Sequence, residues 1–403
     1  MKASRYVWIL VALLWGVGLL NYLDRQIIFS LFPLLRVEFK VSDAQLGLLT
    51  PAFLWIYGAL SPLAGFLADR FSRKKIILVS LAVWSIVTWL TGYASSFSQL
   101  LSARALMGIS EAFYIPAALA LIADHHSERT RSLAIGLHQS GLYLGVILGG
   151  WLGGRIGEQF GWRTAFTVLG IVGVGYAAVL FFGMKEATES DQNLFPVREK
   201  LKLLDALKIL FSVRNYWLLG LAFTCFSIAG WIVLTWMPLY LFEHFRMSLT
   251  QSGFTATFYI QVAAFAGILG GGFIADRWSR KNHRARLFLP AVGFFAGCIF
   301  LFLVGWTSST TILISGLLVY GLSRGLMDCT AMPILCQIVP ENLRATGYGI
   351  FNLVGCIVGG TMAALAGLLK NSIGISGSLQ ISALILAIAG FALLSIRLKN
   401  YEA

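Results

Sequence analysis

The sequence predicts an all-α membrane protein with twelve transmembrane helices in two six-helix, pseudo-symmetric halves. Three observations support this fold class: the composition, the long apolar segments and an internal repeat. Of the 403 residues, 58% are hydrophobic and only 12% are charged, whereas soluble domains carry about 25% charged residues. This composition excludes an ordinary soluble domain and indicates a chain that crosses the bilayer many times.

Twelve apolar segments are each near or above the roughly 20 residues that a helix needs to cross the hydrocarbon core. We expect helices over 6–35, 44–69, 76–94, 98–123, 132–154, 164–184, 215–241, 250–276, 287–306, 310–338, 345–369 and 376–397. The chain starts like a signal peptide, but its apolar run continues past Asp24, so we expect a retained first helix. All five cysteines lie in apolar runs and no CxxC pair occurs, so we expect neither disulfides nor a metal site.

The net charge of +13 could indicate nucleic-acid binding, but the positions of the charges favour a topology signal. Twelve spans place both termini on one side, and most of the 31 Lys and Arg residues fall in loops on that side. The positive-inside rule then predicts cytoplasmic termini in a multi-pass protein of the cell (inner) membrane. We expect a monomer whose partners are the lipid bilayer and a small anion, with no nucleic acid.

The chain contains an internal repeat. GFLADRFSRKK at 65–75 follows helix 2, and GGFIADRWSRK at 271–281 follows helix 8. Arg104-Ala-Leu-Met in helix 4 is echoed by Arg324-Gly-Leu-Met in helix 10. We therefore expect an N-terminal bundle at 1–184, a cytoplasmic linker with an interfacial helix at 185–214 and a C-terminal bundle at 215–403, with a substrate site near mid-bilayer where the halves meet.

These motifs resemble a known family. The 65–75 segment and its second copy resemble the loop signature of the major facilitator superfamily, and the resemblance covers essentially the whole chain. NYLDR in helix 1, RALMGISEAFYIP in helix 4 and WMPLYL in helix 7 resemble its anion:cation symporter branch. GISEAFY followed by LIADHH also resembles the spinster-type lipid transporters.

Three acids and three bases lie at predicted bilayer depth, where an ionisable side chain is a functional candidate by default. They are Asp24, Arg25, Arg104, Glu111, Arg324 and Asp328. An anion that binds beside an arginine breaks an ion pair, and the displaced carboxylate becomes easier to protonate. This is a physical route to coupling one proton to one substrate anion, with no cofactor beyond the proton.

The resemblance implies that Asp24 and Glu111 are proton sites and that Arg25 holds a substrate carboxylate. Arginine suits this role because its planar fork binds carboxylates through two hydrogen bonds and stays charged. We expect Glu111 to be the principal proton carrier, Asp24 a second proton site or an orienting partner, and Arg104 the group that neutralises Glu111. Structural salt bridges are the alternative for each pair.

The Arg324–Asp328 pair departs from the repeat, because Asp328 aligns with Gly108 and Ala331 aligns with Glu111. This difference predicts that proton coupling is confined to the first half, while Arg324 and Asp328 either contact substrate or form a structural pair. Other polar residues at depth are candidates for the pocket, with interhelical hydrogen bonding as the alternative. They are Tyr22, Tyr114, His138, Gln139, Tyr143, Trp231, Tyr259, Gln261 and Asn352.

The charged loop signatures predict a cytoplasmic gate. A carboxylate at the end of helix 2 can face the positive N-terminus of a helix that starts on the same side. The gate candidates are Asp69, Arg70, Arg73, Asp276, Arg277 and Arg280. A role of the basic residues in topology alone is the alternative.

Together these observations predict a proton-coupled secondary transporter, a symporter of a small organic anion such as a sugar acid, working by alternating access. A spinster-like carrier of a lysolipid or other amphipathic anion is the alternative. A non-transporting receptor is disfavoured because no soluble signalling domain is evident, and an ATP-driven pump because no Walker motif occurs. We expect no enzymatic activity.

Overall fold

The computed structural model describes residues 2–68, 70–184 and 203–398, and the ordered elements among them are helical. The helices are α1 Lys2–Ser30, α2 Phe32–Phe39, α3 Asp43–Ala68, α4 Arg73–Thr91, α5 Phe97–Glu111, α6 Tyr114–His125, α7 Glu128–Phe160, α8 Trp162–Gly183, α9 Leu203–Ser212, α10 Arg214–His244, α11 Leu249–Ser279, α12 Ala285–Val304, α13 Thr310–Ile338 and α14 Arg344–Leu394. A short 3-10 helix, Glu341–Leu343, precedes α14. The predicted all-α fold is confirmed.

Eleven helical segments in this part of the chain are long and apolar enough to cross a membrane. The last, α14, has 51 residues and is interrupted at Gly374, whose φ of 70° and ψ of 174° are not helical. Such a positive φ is readily adopted only by glycine. The two parts of α14 correspond to the last two predicted spans, so the structure accommodates all twelve.

Two predicted helices are broken by proline. The first helix was expected to run to residue 35, but α1 ends at Ser30 and α2 starts at Phe32, next to Pro33. The fourth is split between Glu111 and Tyr114, because Pro116 has no N–H to donate to the carbonyl of Ala112. The break leaves Glu111 as the last residue of α5.

The described helices form two compact units. Residues up to Met184, together with Arg246–Thr257, form unit 1, and the remaining described residues form unit 2. In unit 1, α1 packs along α7 and α4 packs along α8; in unit 2, α10 packs along α14 and α12 packs on α13 and α14. The pairing of the first and fifth spans therefore recurs as the pairing of the seventh and eleventh, as expected for a duplication.

Glycines bring α7 close to α1. A Cβ atom at Gly145 would lie 2.3 Å from the carbonyl oxygen of Leu19, and one at Gly149 would lie 2.6 Å from that of Leu23. These two glycines are one turn apart on the face of α7 that meets α1. Small residues let helix backbones approach in membranes, and this contact fixes the register of the helix that carries Asp24 and Arg25.

The predicted linker is only partly described. Residues 185–202 lie outside the described residues, and the expected interfacial helix is present as α9, Leu203–Ser212. Its position on a membrane surface and the domain boundaries stay predictions.

Candidate functional site

The centre of unit 1 contains an ion pair between two helices. Nε of Arg25 on α1 lies 2.5 Å from Oε2 of Glu111, the final residue of α5. The exposed fraction is 6% for Arg25 and 0% for Glu111. Asn21, one turn before Arg25, donates its side-chain N–H to the same oxygen at 3.0 Å. Glu111 thus accepts two hydrogen bonds from side chains on one face of α1.

Aromatic rings surround the guanidinium group of Arg25. Its Cζ lies 4.8 Å from the ring centroid of Tyr22, 4.9 Å from that of Phe53 and 4.4 Å from that of Tyr57. Phe53 and Tyr57 are one turn apart on α3 and stack on each other at 5.6 Å. Each ring attracts the cation through its π face, so the rings hold the guanidinium group while leaving its N–H edges for other partners.

Arg25, rather than Arg104, forms the direct ion pair with Glu111, and the neutralisation of Glu111 by Arg104 stays a prediction. Within the described residues, Arg104 has no carboxylate oxygen within 4.0 Å. Its Nε donates to the carbonyl of Leu49 at 3.4 Å, and its Cζ lies 4.7 Å from the ring of Phe53. Phe53 is therefore shared by two buried guanidinium groups, and only one of them is paired with a carboxylate.

Asp24 does not take part in the Arg25–Glu111 ion pair. It is buried, and its Oδ2 accepts a hydrogen bond of 3.2 Å from the hydroxyl of Thr88 on α4. Its other oxygen, Oδ1, has no hydrogen-bond partner among the described residues. Asp24 and Glu111 thus have different partners, a hydroxyl for one and a cation for the other.

The Arg25–Glu111 contact leaves hydrogen-bonding capacity on both partners. Nη2 of Arg25 and Oε1 of Glu111 are buried and have no partner in the described structure. A guanidinium group can bind a carboxylate through two parallel N–H bonds, but here Arg25 donates to Glu111 through Nε alone. The pair can therefore accept a polar ligand without first losing every existing contact.

Tyr114 and His138 form hydrogen bonds within the fold. The Tyr114 hydroxyl donates to the carbonyl of Leu14 at 2.7 Å and lies 2.8 Å from Nε2 of His138. Since the single hydroxyl proton goes to Leu14, the tyrosine oxygen accepts from His138, whose proton is then on Nε2. These contacts join α1, α6 and α7. Substrate recognition by either residue stays a prediction.

The other predicted pocket residues differ from one another in exposure and in the unit to which they belong. Gln139 is exposed on α7, and Tyr22 is half-buried beside Arg25. In unit 2, Asn352 on α14 is half-buried, and Nε of Arg324 lies 3.7 Å from Oδ2 of Asp328 on the same helix.

The charged loop residues form contacts inside their own units. Arg73 forms an ion pair with Asp124 of α6 and donates from Nε to the carbonyl of Ala68 at 3.3 Å. Asp276 pairs with Arg286 at 2.9 Å. Arg70, Arg277 and Arg280 are exposed, and Asp69 lies outside the described residues. Their role in a gate stays a prediction.

Sequence reasoning gave no role to Asn21, Thr88 and Phe53, which contact the buried charges. For Asn21 a signal existed, because it precedes Arg25 by four residues and must share its face of α1. Phe53 and Thr88 carried no such signal, because their contacts depend on how α3 and α4 pack against other helices.

This fold, with buried charges among helices that are long and apolar enough to cross a membrane, defines a polytopic membrane protein. A family model described as Major Facilitator Superfamily matches residues 14–364, and the chain belongs to that superfamily.

Two relatives are described as probable transporters of organic acids. A protein of Cupriavidus necator described as a probable sulfoacetate transporter is 29% identical, over 89% of this chain and 87% of the relative. A probable galactarate/D-glucarate transporter of Bacillus subtilis is 26% identical, over 93% of this chain and 88% of the relative. The chain is thus a transporter of the superfamily whose relatives carry organic acid anions.

A solved structure has the same fold. A bacterial homologue of the human lysosomal transporter Spinster, in an inward-facing and unoccupied conformation, superposes with a TM-score of 0.84 at 21% identity and covers 96% of both chains. At this identity the likeness establishes the fold alone.

Proposed function

We propose that this protein is a proton-coupled symporter of a small organic anion, such as a sugar acid or another carboxylate, and that it works by alternating access. The observation that carries the proposal is the buried Arg25–Glu111 pair, in which each partner keeps one unpartnered polar atom. Relatives described as probable transporters of sulfoacetate and of galactarate and D-glucarate support an anionic substrate.

The first step is binding of the substrate carboxylate at Arg25. The guanidinium fork offers two N–H groups to a carboxylate, and one of them, Nη2, is already unpartnered. Full engagement of the fork takes Nε from Glu111. Arg104 adds a second buried positive charge without a carboxylate partner in the described structure, so an incoming anion enters a region where two cations share Phe53.

The second step is protonation. Once Arg25 turns to the substrate, Glu111 is a buried carboxylate without its cation, and burial favours the neutral form of such a group. Uptake of one proton restores the charge balance, because the proton offsets the charge of the anion. Asp24, which has only a hydroxyl donor, is a second place for a proton. The loaded state then presents few uncompensated charges, which lowers the cost of moving the helices around it.

The orientation of the protein in the membrane is also part of this proposal. The distribution of Lys and Arg supports cytoplasmic termini, and we assign the protein to the cell (inner) membrane. Substrate and proton would then enter together from the outside, and external acid would stimulate uptake.

The test is uptake by liposomes under an imposed pH gradient, comparing wild type with Glu111→Gln. The amide keeps an oxygen for Arg25 and Asn21 but cannot exchange a proton. We expect Glu111→Gln to retain binding and exchange of the anion but to lose gradient-driven accumulation. Glu243→Gln is a matched control, because Glu243 pairs with Lys370 at 2.9 Å outside the site. Concentration of substrate by Glu111→Gln with an unchanged pH dependence would show that Glu111 is not the proton carrier.

A carrier of a lysolipid or other amphipathic anion is the second candidate, favoured by the likeness of the fold to the Spinster homologue. The partly exposed Arg324–Asp328 pair is a polar feature that a pathway for acyl chains does not need. Uptake of a labelled lysophospholipid supplied below its critical micelle concentration separates the two, since only the second candidate predicts that uptake.

A further inference from the structure

Gln26 follows Arg25 on α1 and is buried without a hydrogen-bond partner. It is 1% exposed, and neither Nε2 nor Oε1 of its side chain is paired among the described residues. Asp24 and Arg25 differ from it, because each takes part in a side-chain hydrogen bond. An amide has two donors and two acceptor positions, and leaving them unmet in a buried place destabilises the fold. The amide of Gln26 therefore needs a partner that the described residues do not supply.

The position of Gln26 around α1 follows from its contacts with α7. A Cβ atom at Gly149 would lie 2.8 Å from Cβ of Gln26, and one at Gly145 would lie 3.1 Å from Cβ of Tyr22. At about 100° per residue, Tyr22 lies about 60° and Gln26 about 100° around the helix from Arg25, in the same direction. The ring of Tyr22 lies 4.8 Å from Cζ of Arg25. Arg25, Tyr22 and Gln26 thus form a continuous surface that runs from the ion pair towards α7.

This surface is closed one turn after Gln26. The hydroxyl of Ser30 donates to the carbonyl of Gly150 on α7 at 3.0 Å. A Cβ atom at Gly253, a residue of α11 that belongs to unit 1, would lie 2.8 Å from the same hydroxyl oxygen. Ser30 therefore meets its hydrogen-bonding requirement by joining helices, whereas the amide of Gln26, on the same face of α1, does not.

Tyr22 is the accessible part of this surface. Among residues 21–33 it is the one that is not fully buried, and it lies between Arg25 and Gln26 around the helix. Unpartnered polar atoms flank it on both sides: Nη2 of Arg25, and Nε2 and Oε1 of Gln26. A molecule that contacts Tyr22 is therefore beside both a cation and an amide with free hydrogen-bonding positions.

We propose that Gln26 is a second substrate-binding residue, which holds an oxygen-bearing group of the substrate beside the carboxylate that Arg25 holds. The proposal rests on the proposed function and adds a residue to its site. The amide N–H groups donate to a substrate oxygen, and the amide oxygen accepts from any hydroxyl that the substrate carries. Because the amide is neutral, it does not change the charge balance between anion and proton. Arg25 then requires a negative charge, and Gln26 ranks anions by their second polar group.

The experiment is calorimetric binding of sulfoacetate, galactarate and D-glucarate to the purified full chain. We expect wild type to bind at least one of these acids. Gln26→Leu should bind the same acid about tenfold less tightly, the effect of losing one good hydrogen bond. Gln26→Glu keeps the size of the side chain but introduces a carboxyl group, whose charged form repels an anion. The ratio of wild-type affinity to that of Gln26→Glu should therefore rise as the pH rises.

Thermal unfolding without ligand separates recognition from a structural role. Gln26→Leu should unfold at a temperature no lower than wild type, because the lost amide has no hydrogen bond within the described structure. Ser30→Ala is the matched control on the same face of α1. It should unfold at a lower temperature, because its hydroxyl bonds to Gly150, and it should keep the affinity of wild type.

The role of Gln26 is overturned if Gln26→Leu binds every acid as tightly as wild type or unfolds at a lower temperature. It is also overturned if the affinity ratio for Gln26→Glu does not change with pH, or if wild type binds none of the three acids. Failure of the proposed function looks different. Arg25→Lys would then bind each acid as tightly as wild type does, whatever the result for Gln26→Leu.

Discussion

Two arginine–carboxylate pairs in this molecule, Arg25–Glu111 and Arg324–Asp328, differ in burial and in whether they join two helices. Arg25 and Glu111 are 86 residues apart, join α1 to α5 and are shielded from solvent. Arg324 and Asp328 are one turn apart on α13, are separated by 3.7 Å and are partly exposed. The first pair can change only if a ligand arrives or two helices move, whereas the second can open by side-chain rotation. A charge pair that responds to substrate binding must be buried between two helices, as Arg25 and Glu111 are.

The largest expected effect is that of Arg25→Ala on stability. Removing one member of a buried pair leaves the other charge uncompensated and costs about 3–5 kcal/mol. We expect thermal unfolding in detergent at a markedly lower temperature and no measurable uptake. The double variant Arg25→Ala with Glu111→Gln should recover most of the stability without recovering transport. If the double variant unfolds as readily as Arg25→Ala, the loss does not come from the stranded carboxylate.

Helix packing within each unit gives an intermediate effect. Gly145→Ala pushes a methyl group against the backbone carbonyl of Leu19, at 2.3 Å, whereas Gly355→Ala meets the hydroxyl of Ser227 at 2.6 Å, which can rotate. We expect Gly145→Ala to destabilise by about 1–3 kcal/mol and Gly355→Ala by less, as measured by thermal unfolding. Gly136→Ala is the control, since nothing lies within 4 Å of its added methyl group. Equal losses for Gly145 and Gly355 would contradict a tighter contact between α1 and α7.

The smallest expected effect is that of Arg324→Ala on stability. Solvent-accessible ion pairs one turn apart contribute about 0.2–0.5 kcal/mol, so its unfolding temperature should stay close to that of wild type. Raised salt should change the stability of wild type and Arg324→Ala to a similar extent. A loss as large as that of Arg25→Ala would show that the Arg324–Asp328 pair supports the helix packing of unit 2.

The fold was predictable because lipid imposes strict requirements on composition and length. The span predicted at 310–338 coincides with α13, Thr310–Ile338, since apolar residues and their polar boundaries are both visible in the sequence. The breaks after Ser30 and Glu111 were not predicted, although Pro33 and Pro116 were visible. Helix α7 extends past its apolar part to Phe160, because a helix continues beyond the hydrocarbon core.

The charged residues of the site were predictable, but their pairing was not. Arg104 and Glu111 are seven residues apart on one helical face, which separates them by about 10 Å along the axis. That distance favours a partner for Glu111 from another helix. Arg25 is that partner only because the axial position of α1 relative to α5 brings it level with Glu111. The contacts of Phe53 and Thr88 depend on similar heights for α3 and α4. Sequence spacing within one helix carries no information about such offsets.

Phe53 places an aromatic ring against two buried guanidinium groups. The quadrupole of this ring attracts both guanidinium groups, and the ring does not titrate. The buried acids beside these cations in the described structure are therefore Asp24 and Glu111. If transport is coupled to protons through these two carboxylates, as proposed, one turnover can carry at most two protons.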